Sequence, residues 1–221
     1  MIRALVFDMD GLMFDTERLG LKAWEYGGRQ LHVDIGEHVV RQMLGMNQEG
    51  LRQFLKGRFG EQFDFDRCFR HWGEYMRKTI EEQGVPLKRG LVPLLGYLKA
   101  NGYRAAMATS SNRPMVLWYL EKAGVGGYFD EIITGDSIRH GKPAPDIYQK
   151  AAEALLLAPE ECMALEDSLG GICSAYSAGM KPVMVPDLVL PTAEIEPLLY
   201  ALVDSLDEVI PLLEADKHDY A

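Results

Sequence analysis

The stretch Ile2-Arg3-Ala4-Leu5-Val6-Phe7-Asp8-Met9-Asp10-Gly11-Leu12-Met13-Phe14-Asp15-Thr16-Glu17 decides how this chain reads. Its first part, Ile2 to Phe7, is a short apolar run without clean alternation, the pattern of a strand covered on both faces in a parallel sheet. Two carboxylates, Asp8 and Asp10, follow at the strand's carboxyl end. In an open α/β sheet that edge is where ligands bind. A regular continuation of the strand would turn both acids to one side, where they could serve one site as nucleophile and acid/base. Their mutual repulsion would help keep one of them protonated unless a metal or a ligand compensates. Asp-x-Asp-Gly also occurs in metal-binding loops and ordinary turns, so the motif alone leaves both readings open.

Working outward, similar short apolar runs recur at Ala105 to Ala108, Ile132 to Thr134, Cys162 to Leu165, Pro182 to Val185 and Ala201 to Val203. Between them, Gly90 to Asn101 and Arg113 to Ala123 carry apolar residues at three- and four-residue spacing, and Asp146 to Leu157 and Ser168 to Ala178 also fit helices. Gly102, Gly124 and Gly179 fall just past helical stretches, where a left-handed terminal residue is favoured, and Asp146 is placed to cap its helix after Pro145. Strand alternating with helix implies a doubly wound parallel α/β sheet. Residues 16–84 differ, being helical in pattern with no convincing strand. They read as an insertion of about four helices, broken near Val33 to Gly36, Gly45 to Asn47 and Gly60 to Asp64. Trp24, Phe54, Phe69 and Trp72 are placed to fill the interior of that bundle. The expected domains are thus 1–15 with 85–221, and 16–84.

Composition narrows the function classes. At 221 residues, with 48% hydrophobic and 25% charged side chains, the chain suits a folded protein with a sizeable core. A formal net charge of −10 opposes binding to nucleic acid, whose affinity comes largely from neutralising backbone phosphates. A small phosphorylated ligand needs only a few local cations. The longest apolar runs, such as Met180 to Leu190, are short and interrupted, and the first residues lack the features of a signal peptide, so a cytoplasmic protein without membrane contact is the expectation. Cys68, Cys162 and Cys173 show no CxxC spacing and read as buried free thiols.

Each later strand end carries a chemically useful group. Thr109, Ser110 and Ser111 end the second strand just before a helix start, so a hydroxyl and free backbone N–H groups could hold a phosphate, although helix capping would also explain them. Gly141-Lys142-Pro143-Ala144-Pro145-Asp146 sets one lysine in a backbone stiffened by two prolines, which suits an aimed cation; a loop lysine is otherwise ordinary solvated surface. Glu166-Asp167 offers hard oxygen ligands of the kind Mg2+ takes, with capping of the next helix by Asp167 or Ser168 as the plainer role.

Taken together, Asp8-x-Asp10-Gly11, Thr109, Lys142 in GKPAPD and Glu166-Asp167 in LEDS resemble, in order and over essentially the whole chain, the haloacid dehalogenase superfamily. DMDGLMFDTE with ATSS, GKPAPD and LEDS is similar to its β-phosphoglucomutase-like phosphatase branch. The resemblance implies a Rossmann-type core with residues 16–84 as an α-helical cap, hinged near Phe14 to Glu17 and Gly84 to Lys88. It implies a phosphatase acting on a small phosphorylated metabolite, with Asp8 as nucleophile through an aspartyl phosphate and Asp10 as acid/base. Mg2+ would be held by Asp8, the Asp10 carbonyl and Asp167, with Glu166 as ligand or support. Thr109, Ser110, Lys142, Gly11 and Thr16 form the implied substrate and phosphate set, and a monomer is the default.

The nearest rival is a sugar-phosphate mutase. By the same resemblance a mutase carries a histidine four residues after Thr16, where this chain has Gly20, and basic residues in the stretch Met43 to Glu49, which here has none. Arg41, Arg52, Lys56 and Arg58 are the cap cations that could substitute. A dehalogenase would lack the equivalent of Asp10. A non-catalytic binding module would have lost Asp8, Asp10, Lys142 or Asp167, and all four are present.

Overall fold

Six short strands form one sheet: β1 (Ala4–Phe7), β2 (Arg104–Thr109), β3 (Glu131–Thr134), β4 (Cys162–Glu166), β5 (Lys181–Met184) and β6 (Ala201–Leu202). In the computed structural model, which describes residues 1–43, 46 and 48–218, they run in the order β3-β2-β1-β4-β5-β6 with every pairing parallel. Chain order reverses beside β1, so the crevice at the carboxyl ends of β1, β2 and β4 is the switch point where such sheets bind ligands. β1 and β4 are buried along their whole length, which explains the unalternating sequence of each.

By internal contacts the chain divides into two compact units, Met1–Asp15 with Val85–Ala221, and Thr16–Gly84. In the first, alanines on the sheet (Ala4, Ala106, Ala108 and Ala164) admit Ile147, Tyr148, Ala151, Ala152 and Leu155 of the helix Asp146–Leu155. Small strand side chains let that helix's larger ones fill the space between layers. On the helix Leu91–Ala100, Leu91, Leu94, Leu95 and Leu98 are all buried, following the three-and-four spacing of its sequence. Burying each leucine is worth about 1.5–3 kcal/mol before entropy is charged against it.

The second unit holds helices α1 (Thr16–Gln30), α2 (Glu37–Val40), α3 (Gln48–Phe59) and α4 (Phe65–Gln83). The helices Leu91–Ala100, Arg113–Ala123, Asp146–Leu155, Leu169–Ser177 and Val209–His218 are then α5 to α9. Asp64 caps α4 by accepting from the Arg67 N–H at 3.0 Å. Trp24 is buried in the bundle's core, and Phe54, Phe69 and Trp72 pack partly buried around it, with Phe69 and Trp72 stacked at 5.3 Å. The expected break at Gly45 to Asn47 falls largely outside the described residues, since Leu44, Gly45 and Asn47 are not among them.

Several local expectations are corrected. β2 runs one residue further at each end than its apolar run, because ladder hydrogen bonds depend on the backbone and not on side-chain polarity. α7 stops at Leu155, and Leu156, not a glycine, takes the left-handed C-cap with φ 55°. Asp146 does not cap α7: Pro145 is the N-cap, and the Asp146 carboxylate instead accepts from the His140 backbone at 3.3 Å and meets its ring Nδ1 at 2.9 Å. The sequence reading also lacked α9. There Asp216 accepts from the Ile2 N–H at 2.5 Å and from Lys181 Nζ at 3.0 Å, tying the last helix to the start of β1. Among the described residues no helix is long and apolar enough to cross a membrane. Cys68 and Cys162 are buried free thiols, held protonated by burial at about 12 and about 11, whereas Cys173 is only half-buried.

Candidate active site

β1 ends at Phe7, and the chain turns at once instead of continuing the strand. Met13 and Phe14 both donate backbone N–H groups to the Met9 carbonyl, at 2.9 and 3.1 Å, and Gly11 N–H bonds the Phe14 carbonyl at 2.9 Å. Asp10 therefore sits in a tight turn, so strand alternation is not what orients it relative to Asp8. Gly11 takes φ +81°, and a Cβ there would fall 2.1 Å from Asp167 Oδ2, so glycine is required both by the turn and by the neighbouring acid. Beyond the turn, Phe14 pairs antiparallel with Leu87, while Asp15 N–H bonds the Pro86 carbonyl and Lys88 N–H bonds that of Met13.

Asp8 follows β1 directly, with its N–H on the Leu165 carbonyl of β4 at 3.0 Å. Lys142, from the loop before α7, donates Nζ to Asp8 Oδ1 at 2.5 Å, to the Ala108 carbonyl at 3.0 Å, and to Glu166 Oε1. Its side chain is 9% exposed, far from the solvated lysine that a loop position would otherwise suggest. Ser174 on α8 steadies this loop by donating to the Ala144 carbonyl at 2.6 Å.

Glu166 is fully buried at the end of β4, and both of its oxygens accept hydrogen bonds. Oε1 takes the Tyr148 hydroxyl at 2.6 Å besides Lys142, and Oε2 takes the Ser168 hydroxyl at 3.0 Å and N–H at 3.3 Å. A Cβ on Gly171 would lie 1.9 Å from the Glu166 carboxyl carbon, so α8 packs bare backbone against this acid. Burial, opposed by Lys142 but reinforced by Glu166 and Asp10, pushes the Asp8 carboxyl up to about 7. Burial would depress Lys142, yet the Asp8 and Glu166 carboxylates outweigh it and raise its pKa, so the ammonium stays charged. Burial, and then Glu166, likewise raises Tyr148 well above the ordinary phenol range, leaving it a neutral donor.

Thr109 ends β2 and is 1% exposed; its Oγ1 accepts from the Ser111 N–H at 3.1 Å. Neither Thr109 nor Ser110 caps α6. Asn112 does, accepting from Met115 N–H at 3.1 Å, while the exposed Ser110 leads into that helix. Ser168, rather than Asp167, is the N-cap of α8 and accepts from the Gly171 N–H at 3.1 Å. Thr16 is the buried first residue of α1 and belongs to the helical unit.

Oxygens of Asp8, Glu166 and Asp167 lie within 4.8 Å of one another. Three carboxylates with hard oxygen donors match the ligand preference of Mg2+, and the space above Gly11 is kept clear of any side chain for Asp167. Two contacts at the site were not legible in the sequence. Ser111 donates its hydroxyl to Asp10 Oδ2 at 2.8 Å, and Tyr148 anchors Glu166. Ser111 lay in the hydroxyl run already noted, but Tyr148 looks in sequence like any aromatic core position of a helix.

The chain is similar to several known proteins. A family model described as haloacid dehalogenase-like hydrolase matches residues 2–179. A phosphorylated carbohydrates phosphatase of Thermotoga maritima is 28% identical, over 97% of this chain and 91% of its own. CbbY from Rhodobacter sphaeroides, solved as a D10N mutant in complex with xylulose-(1,5)bisphosphate, is 30% identical with a TM-score of 0.79, covering 94% of this chain and 96% of that one. A β-phosphoglucomutase from Clostridium difficile superposes with a TM-score of 0.78 over 100% of this chain and 99% of its own; at 24% identity it shows likeness of fold alone.

Proposed function

The chain belongs to the haloacid dehalogenase-like hydrolases, and we propose that it hydrolyses small phosphate monoesters, sugar phosphates foremost, with Asp8 as the nucleophile. The observation that carries this reading is the Lys142 ammonium held 2.5 Å from Asp8 Oδ1, in a cluster whose three acidic side chains lie within 4.8 Å of one another. A carboxylate paired with a fixed cation at a sheet's switch point has the parts needed to receive a phosphoryl group.

In the first half-reaction an Asp8 oxygen attacks phosphorus, the bond to the leaving alcohol breaks, and a carboxyl phosphate forms on Asp8. Asp10 gives its proton to the departing oxygen. In the second half, the ionised Asp10 takes a proton from the water that cleaves the carboxyl phosphate, restoring Asp8 and releasing inorganic phosphate. Lys142, the Thr109 hydroxyl and the backbone N–H of Ser110 bind the transferring oxygens, where each fixed donor contributes on the order of 2–4 kcal/mol. Asp8, the Asp10 carbonyl and Asp167 would hold Mg2+, with Glu166 alongside anchoring Lys142. Bound there, Mg2+ supplies positive charge that offsets repulsion between the anionic nucleophile and the anionic ester. The helical unit, residues 16–84, is read as the cap that selects the leaving group.

Water rather than a second sugar is the favoured acceptor. Gly20 offers no side chain where the mutase pattern sets a histidine, and a Cβ there would meet Trp72 Nε1 at 3.9 Å, an ordinary contact. The purified protein should release phosphate from a panel of sugar, nucleoside and cofactor phosphates only when Mg2+ is supplied. Given β-glucose 1-phosphate and glucose 1,6-bisphosphate, phosphorus NMR should show inorganic phosphate and no sustained build-up of glucose 6-phosphate. Isomerisation outpacing phosphate release would replace hydrolase by mutase.

A further inference from the structure

Asp10 and Ser111 are 101 positions apart in the chain, yet the serine hydroxyl donates to Asp10 Oδ2 at 2.8 Å. The loop that carries Ser111 is fixed from two sides. Its N–H is given to Thr109 Oγ1 at 3.1 Å, and its carbonyl accepts the Gly135 N–H at 3.0 Å. Gly135, just past β3, lies so near that a Cβ there would fall 2.2 Å from the Ser110 carbonyl oxygen. With its backbone held on both sides, Ser111 has little freedom besides rotation about χ1, and the observed rotamer aims its hydroxyl at Asp10. Tyr119 is 2% exposed and packs edge-on against Phe14 at 5.9 Å between ring centres, and burial followed by the Asp10 charge raises its phenol, so it stays neutral.

Resting on the phosphatase reading above, we propose that Ser111 is a positioning residue that sets the orientation of the Asp10 carboxyl for proton transfer. By donating to Oδ2, the serine limits rotation of the Asp10 carboxyl, so that its proton is presented in a fixed direction. When Asp8 attacks, that proton passes to the leaving alkoxide as its bond to phosphorus breaks, and Asp10 is left ionised with the Ser111 hydroxyl still donating to Oδ2. The same bond then holds the carboxylate while it takes a proton from the hydrolytic water, whose oxygen bonds phosphorus as the bond to Asp8 breaks. No other atoms or electrons are exchanged.

The test is the dependence of kcat/KM on leaving-group pKa, because that constant reports events up to departure of the alcohol. An alkyl phosphate needs a proton donor, whereas an activated aryl phosphate such as p-nitrophenyl phosphate leaves with little help. In Ser111→Ala, kcat/KM should drop about tenfold or more on alkyl phosphates, the scale of one lost hydrogen bond to a charged group, and less than about twofold on p-nitrophenyl phosphate. Ser111→Thr, which keeps the hydroxyl, should restore most of the alkyl rate. A loss equal for both substrates in a variant with unchanged urea midpoint would assign Ser111 to loop structure or phosphate binding and overturn the proposal. Unchanged alkyl rates would overturn it as well. If the unaltered protein turns over neither substrate, the phosphatase reading falls first, which separates that failure from the failure of the serine's role.

Discussion

Lys142→Met removes the ammonium while keeping most of the stem, and the structure sets the expected scale of damage. The lysine side chain is 9% exposed, and it stands between Asp8, whose side chain is 11% exposed, and the fully buried Glu166. Its loss leaves two carboxylates facing each other without a cation. Breaking a buried pair by removing one partner costs about 3–5 kcal/mol, a large part of the stability of a typical domain.

The pH dependence of that loss has a definite sign. The folded Asp8 carboxyl, at about 7, lies above its reference of 3.8, so folding takes up a proton and Asp8 subtracts stability as pH rises through that window. Lys142 is among the groups that pull this value down, so without it the folded pKa climbs and the loss deepens. Lys142 itself is raised above its reference of 10.5, so its contribution is fully present below that pH. The variant should therefore approach the parent near pH 4 and fall furthest behind near pH 8. Urea unfolding of the core in metal-free buffer at both pH values measures this, with Lys142→Met/Glu166→Gln as a partner variant in which part of the lost stability returns. An unchanged midpoint at pH 8, or a double variant as unstable as the single one, would refute the reasoning that Lys142 neutralises these acids.

Asp8→Asn should abolish turnover on every substrate while circular dichroism stays native, since an amide neither attacks phosphorus well nor serves as a charged metal ligand; substantial residual activity would remove Asp8 as nucleophile. Gly11→Ala meets both a φ of +81° and the Asp167 carboxylate at 2.1 Å, so it should lower stability by about 1 kcal/mol or more and weaken the Mg2+-induced rise in melting temperature. Gly57→Ala, where no atom lies within 4 Å of the new carbon, is the control and should leave that rise intact. Equal Mg2+ response in the two variants would detach Asp167 from metal binding.

The order of strands and helices, and the chemical group at each strand end, were legible in the sequence because they are local properties. An unalternating apolar run such as Ala4 to Phe7 announces a strand buried on both faces, and a glycine such as Gly124 marks a helix end with φ +68°. The types at Asp8, Thr109, Lys142, Glu166 and Asp167 could likewise be named in advance, since hydroxyl, ammonium and carboxylate are written in the residues themselves. Which donor reaches which acceptor was not written there. Thr109 and Ser110 looked fit to cap α6, and only the folded backbone assigns the cap to Asn112 while Thr109 Oγ1 accepts from the Ser111 N–H. Tyr148 gave no sign of its bond to Glu166, nor Ser111 of its bond to Asp10, because those partners lie 18 and 101 positions away. Parallel pairing of β1 with both β2 and β4 gathers these loops at one edge, and the burial there moves Asp8 to about 7 and keeps Lys142 charged. The sequence by itself determined which groups the site would contain. Their distances and proton affinities were decided by the tertiary structure, because desolvation and Coulomb interaction depend on separation in space and not along the chain.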